Sequence, residues 1–211
     1  MPGQPSSRLL AIMVVVANLV ICGGVVALTR ASHRPAAAPE TTVDTPTTET
    51  TTNPGTTTET TTGEPDLLQG FEQITGPGGM TTHIPAGWPT RTAKGEGSMQ
   101  ADDPAGTTRF LRYGGATTTL TDSYDLHADY ERTFSADKNA YVSLRLARTE
   151  VRGLPAIDWE FEYDAPSGPR HVRSVYWLSG GYEYFVYASA PTALWPDTQP
   201  ILDVMLTYST P

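Results

Sequence analysis

AIDWEFEYDA, residues 156–165, decides how this chain folds. Ile157, Trp159, Phe161 and Tyr163 alternate with Asp158, Glu160, Glu162 and Asp164. That is period two, the signature of a strand with one face in a core and one in water. PSGP at 166–169 follows, and 171–178 is apolar-rich again, so a hairpin is expected. The acids on the water face would repel one another along the strand. Arg173 or Arg170 opposite Glu160 or Glu162 would relieve this, each exposed pair contributing about 0.2–1 kcal/mol. The expectation is a solvated, charged sheet surface.

Working outward, 182–188 reads YEYFVYA, aromatic on both faces. It suits a central strand covered on both sides. Further strands are expected at 141–151, 71–75, 80–84, 98–101 and 108–113. A helix is expected over 123–137, with Asp122 or Ser123 as N-cap and Leu126, Tyr130 and Phe134 on one face. A second covers about 192–206, with Trp195, Leu202 and Met205 on one face. Pro200 inside it predicts a kink or a later start near Gln199. The fold class is α+β: a mostly antiparallel sheet of five to seven strands with helices packed on it.

The N-terminal side differs in kind. Residues 9–28 read LLAIMVVVANLVICGGVVAL, without a charge. At ~1.5 Å per residue this spans ~30 Å, the hydrocarbon thickness. It predicts an uncleaved transmembrane anchor after a short cytoplasmic tail, 1–8. A signal peptide has a shorter apolar core. Lipidation at Cys22 would want a small residue before the cysteine, and Ile21 stands there. Arg8 before the run and Arg30 and Arg34 after it leave the positive-inside rule balanced. Residues 29–69 form a Thr/Pro-rich linker, with 14 threonines between Pro35 and Asp66. Almost nothing there can be buried to offset ordering, so it is expected to be a disordered stalk, bare or glycosylated. Extended at ~3.1 Å per residue, it reaches on the order of 100 Å. Such stalks belong to exported proteins, which places the domain at 70–211 outside the cell membrane. That domain has no cysteine and needs a core without disulfides. From Asp66 onward 11 Lys/Arg face 18 Asp/Glu, a formal charge of −7. Nucleic acid is not an expected partner.

An ordered series of short motifs then stands out: Ile84-Pro85-Ala86-Gly87-Trp88, Asp102-Asp103-Pro104-Ala105-Gly106, the 156–161 strand, Tyr182–Tyr187 and Val204-Met205-Leu206-Thr207-Tyr208. It resembles the C-terminal extracellular domain of actinobacterial serine/threonine protein kinases. That domain is similar to the PsbP/Mog1-like α/β/α sandwich, which some mycobacterial lipoproteins also resemble. The resemblance covers roughly residues 80–211 and implies a membrane-tethered binding or sensing module. It carries over no catalytic residue. The kinase domain is missing from the pattern: the sequence has no glycine-rich nucleotide loop and no HRD-type or DFG-type motif. Phosphoryl transfer is not expected.

Other chemistry is thin. His33, His83, His127 and His171 fall on different segments, and no HExxH occurs. Zinc through His171 and Glu162 is conceivable, but a plain surface histidine is the expectation. Ser98, in GEGSMQ, has no paired base, and there is no GxSxG elbow. Gly76-Pro77-Gly78-Gly79 lacks a following lysine and reads as a turn. Asp122, Asp125 and Asp129 share a helix face, where they favour the N-terminus and solvation over a cation. Trp159, Trp177, Tyr176, Tyr182, Tyr184 and Tyr187 could line a cleft, but core packing accounts for them. No catalytic, cofactor-binding or metal residue is therefore expected, and no cofactor. The chain is expected to be a single-pass, membrane-tethered, non-catalytic binding or accessory module of the cell envelope. Its partners would be the membrane and an envelope ligand or membrane protein. The alternative is a small cell-envelope enzyme or transport-assisting factor.

Overall fold

The computed structural model describes residues 67–211. The expected tail and span, and the linker up to residue 66, lie outside the described residues. Among the described residues no helix is long and apolar enough to cross a membrane.

Among the described residues nine strands form: β1 (Phe71–Thr75), β2 (Thr81–Pro85), β3 (Thr90–Thr92), β4 (Ser98–Asp102), β5 (Phe110–Thr117), β6 (Asn139–Val151), β7 (Leu154–Ala165), β8 (Gly168–Ser179) and β9 (Tyr182–Pro191). Two α-helices join them, α1 (Tyr124–Ala136) and α2 (Trp195–Tyr208). β1 and β2 pair as a separate hairpin; the others form one sheet in the order β3-β4-β5-β9-β8-β7-β6. Every pairing is antiparallel. β6 to β9 run as a meander through two-residue turns. Arg152-Gly153 (φ 52° and 77°) and Gly180-Gly181 (φ 57° and 80°) both take positive φ, as a turn matching strand twist requires.

The alternation read at 156–165 sorts the sheet into two faces. Trp159, Phe161, Tyr163, Tyr176, Phe185 and Tyr187 belong to one core with Tyr130 and Phe134 of α1. This is the back face. Leu111, Tyr113, Val175, Trp177, Tyr184 and Val186 belong to the other, with Ile84 of the hairpin and Trp195, Leu202 and Met205 of α2. This is the front face. β9, fourth of seven, is covered on both sides, as its double aromatic face demands. Glycines let the hairpin turn lie against the sheet: a Cβ on Gly76 would stand 2.8 Å from the Tyr113 ring, and one on Gly78 3.0 Å from the Tyr184 ring. Between β1 and β2, Pro77–Gly79 makes the expected turn, and its Gly78 carbonyl accepts the Tyr184 hydroxyl at 3.0 Å.

α1 starts where its cap allows. The Asp122 carboxylate accepts the Tyr124 N–H at 2.9 Å, while Ser123 makes no side-chain cap. Its buried residues are His127, Tyr130 and Phe134. Leu126 is only half-buried, so the inward stripe is rotated by one position from the expected one.

Three further expectations are corrected. α2 runs unbroken through Pro200 from Trp195, instead of starting near Gln199. Pro196 occupies the start, where no N–H is needed, and Thr198 donates its hydroxyl to the Leu194 carbonyl at 2.7 Å. The short strand Thr90–Thr92 has no apolar alternation and was not foreseen. The acidic face of β7 is not an open, solvated surface: Asp158 is buried, and α2 packs on the same front face.

Candidate functional site

Two polar groupings arise from the alternation, one on each face. On the front, β7 presents Asp158, Glu160 and Glu162, and β8 brings His171 and Arg173 opposite them, in the register Glu162↔His171 and Glu160↔Arg173. Arg173 donates from Nε and Nη2 to the two oxygens of Asp158, both at 3.0 Å. Arg145 of β6 adds a third contact to Asp158 at 2.9 Å. The hydrogen bonds to Asp158 hold the Arg173 guanidinium above its usual pKa, although burial opposes this. His171 lies between the other two acids: Nε2 is 2.8 Å from Glu160 and Nδ1 is 2.9 Å from Glu162. Trp195 of α2 stacks on the ring at 3.9 Å.

This corrects the expectation of a surface histidine, because His171 is buried. The physical reason is α2, whose Trp195 covers the imidazole. Zinc through His171 and Glu162 fares no better. The two carboxylates address opposite ring nitrogens and cannot converge on one ion. Among the described residues no group of three or more His, Cys, Asp or Glu is placed to hold a metal. Arg173 does sit opposite Glu160, but its guanidinium goes to Asp158. Arg170 is one residue out of phase and points to the back face, where it bonds Ser189 and Thr108. The front network is closed, since Asp158 is held by Arg173 and Arg145, and Glu160 and Glu162 each meet a ring nitrogen of His171.

The back grouping lies over β3, β4 and β5. Arg112 is buried; its Nε donates to Gln100 Oε1 at 2.8 Å, and its guanidinium lies over Phe110 (5.1 Å) and Tyr187 (5.8 Å). Its Nη1 has no partner, and neither has the buried hydroxyl of Ser98. Arg170 also lies over Phe110, at 5.4 Å, and its donors go to hydroxyls and a carbonyl. Among the described residues neither Arg112 nor Arg170 forms an ion pair. Asp102 is the carboxylate in this grouping, and it is shared by Gln100 and by Arg91 at 2.7 Å.

His127, buried in α1, was not singled out by the sequence. Its Nε2 meets Glu183 at 3.1 Å and its ring lies 4.1 Å from Tyr176. The spacing 127, 130, 134 carried the signal. The aspartates of α1 do not gather a cation: Asp122 is taken by Arg148 and Asp129 by Arg132. A shallow cleft of about 250 Å³ at the start of α1 is lined by Asp122, Arg148, Thr149, Pro155, Ile157 and Leu178, and its two charges neutralise each other. Of the six aromatic residues considered for a cleft, five belong to the two cores and Tyr182 is half-buried against the front one.

The motifs that carried the resemblance are architectural. Asp103 accepts the Ala105 N–H at 2.9 Å, the Thr107 hydroxyl at 2.7 Å and Arg109 Nε at 2.9 Å. Burial alone would raise its carboxyl, but these bonds win and lower it. Arg109 in turn lies 5.0 Å over Trp88. Pro-Ala-Gly-Trp and Asp-Asp-Pro-Ala-Gly thus meet in one corner.

The comparisons with known proteins agree with this architecture. The fold is similar to the solution structure of cyanobacterial PsbP (CyanoP) from Synechocystis sp. PCC 6803, at 14% identity over 67% of this chain and 92% of that one, with a TM-score of 0.53. LpqN of Mycobacterium tuberculosis, described as involved in cell envelope biogenesis, gives 11% identity, 66% and 90% coverage, and a TM-score of 0.47. No curated protein matches. Residues 72–210, nearly the whole described domain, match the family of the serine/threonine kinase C-terminal domain, and the chain belongs to that family.

Proposed function

We propose that the protein is a non-catalytic binding or sensor/accessory module of the cell envelope, held by the 9–28 span and raised on its threonine-rich linker with the domain outside. The observation that carries this is the family: residues 72–210 correspond to the C-terminal domain of serine/threonine kinases. The sequence holds none of the kinase motifs. The geometry supports the same reading, because the front-face histidine and carboxylates are engaged with one another and shielded by α2. Their hydrogen-bonding capacity is spent on structure rather than held ready for a substrate.

Two measurements test this on the full chain. Protease added to intact cells should release a fragment starting within the linker; protection until lysis would reverse the topology. The detergent-solubilised chain should turn over no envelope substrate. Turnover lost on changing one polar residue would replace this reading with the alternative, a small cell-envelope enzyme or transport-assisting factor. Signalling would pass through lateral contact with a membrane partner, and exchanging the span for an unrelated anchor should leave function unchanged.

A further inference from the structure

We infer that the back-face grouping around Arg112 binds the carboxylate of a small ligand whose apolar body rests against Phe110. The inference deepens the binding-module reading and rests on it. Its basis is an electrostatic imbalance. Arg91, Arg112 and Arg170 place three guanidiniums on the β3–β5 side of the back face, with Asp102 as the carboxylate among them. This occurs in a domain whose formal charge is −7. Burying a charge is costly unless it is paired, and an unmade hydrogen bond on a buried donor costs more than a bond gains. Arg112 is only 5% exposed, yet its Nη1 has no acceptor. The aromatic faces of Phe110 and Tyr187 stabilise the cation in part, but they do not replace an in-plane acceptor.

The unmet demand also specifies the partner. Ser98 and Arg112 lie on adjacent strands and on the same face, two positions apart along the ladder, since Ser98 faces Gly114 and Gln100 faces Arg112. Each has a polar atom without a partner, Ser98 Oγ and Arg112 Nη1. Two donors of this kind suit the two oxygens of a planar carboxylate. A phosphate dianion would want more donors than are free. Phe110, half-buried beside the guanidinium, supplies an apolar surface for the rest of the ligand. Arg91 is paired with Asp102 at this edge, so the positive charge left over belongs to Arg112 and Arg170.

The test is thermal unfolding of the full chain in detergent, titrated with sodium benzoate, with benzamide as its neutral isostere and inorganic phosphate as the other anion. Benzoate should raise Tm saturably below about 50 mM, with benzamide and phosphate at matched ionic strength doing nothing comparable. Arg112→Gln should weaken the benzoate response about tenfold or more, and Ser98→Ala several-fold. Should Arg112→Gln fail to fold, Ser98→Ala decides alone. Equal responses to benzoate and benzamide, equal responses to benzoate and phosphate, no saturable shift, or an undiminished response in the variants would each overturn the site. These outcomes leave the binding-module reading in place. Catalytic turnover of an envelope substrate would overturn that reading without touching the titration.

Discussion

The two faces of one sheet handle charge in opposite ways. On the front, Asp158 collects Arg145 and Arg173, and His171 bridges Glu160 and Glu162, so desolvation is offset on the spot. On the back, Arg112 and Arg170 are buried with amide, hydroxyl and carbonyl partners and aromatic rings. The same alternation made both, because each strand sends successive residues to opposite sides. What differs is the neighbour strand: β7 opposes β8 with acids, while β4 sets Gln100 against Arg112 and leaves its one back-face acid, Asp102, to Arg91. A closed network is scaffold, and an open one has capacity left for something else.

Five substitutions break or sharpen this contrast. The largest effect belongs to neither network: Trp159→Ala, under α1, should cost roughly 3–5 kcal/mol in denaturant unfolding. It sets the scale for losing core on the back face. Next, Asp158→Ala on the front should cost about 3 kcal/mol, because it strands two guanidiniums. Arg112→Gln on the back should leave Tm unchanged or raise it, since it removes a charge that lacks a counter-ion. If the two behave alike, the contrast between closed and open networks fails.

Below these, Asp103→Ala should cost roughly 2 kcal/mol at neutral pH, through three lost hydrogen bonds and an orphaned Arg109. The folded-state carboxyl lies below its usual 3.8, so its contribution is present above that value and fades as pH falls through the lowered one. The gap between wild type and variant should therefore close in acid; a gap that persists there would deny the electrostatic origin. Smallest, Tyr141→Phe should cost about 1 kcal/mol. Its hydroxyl donates to Glu131 of α1 at 2.8 Å and accepts Trp159 Nε1–H at 3.2 Å. Burial first, and then Glu131, raise that phenol above its usual value. A silent Tyr141→Phe would mean that this hydroxyl contributes nothing to holding α1.

Strand alternation was readable because it is local. Residues 156–165 announce their own two faces, and β1 begins and ends where its pattern does. The fate of each polar face was not readable, because it depends on elements far along the chain. Nothing near Glu160 says that Trp195, 35 residues later, will cover its histidine partner. Arg170 and Arg173 look interchangeable in sequence, and only the register of β8 against β7 sends them to different sides. His127, noted only as one of four scattered histidines, was not read as inward because Leu126 made an equally good helical stripe. The back-face arginines escaped because an unpaired charge is defined by what fails to arrive, which no local pattern records. β3 escaped because Thr-Arg-Thr has no apolar residue to mark it.

The strand order has a kinetic consequence. β6, β7, β8 and β9 are consecutive and joined by two-residue turns, so their contacts are short in sequence and cheap in loop entropy. The next contact, β5 against β9, pairs Phe110 with Ser189 and Thr117 with Tyr182. That seam must close a loop containing α1 and the three preceding strands of the meander. The meander should therefore assemble first and present β9 as a bare template edge, with β3 to β5 arriving afterwards. During that interval the sheet has an unguarded edge at its future centre. Residues 182–187, aromatic on both faces, are the part of this chain most exposed to mispairing with another copy before folding is complete.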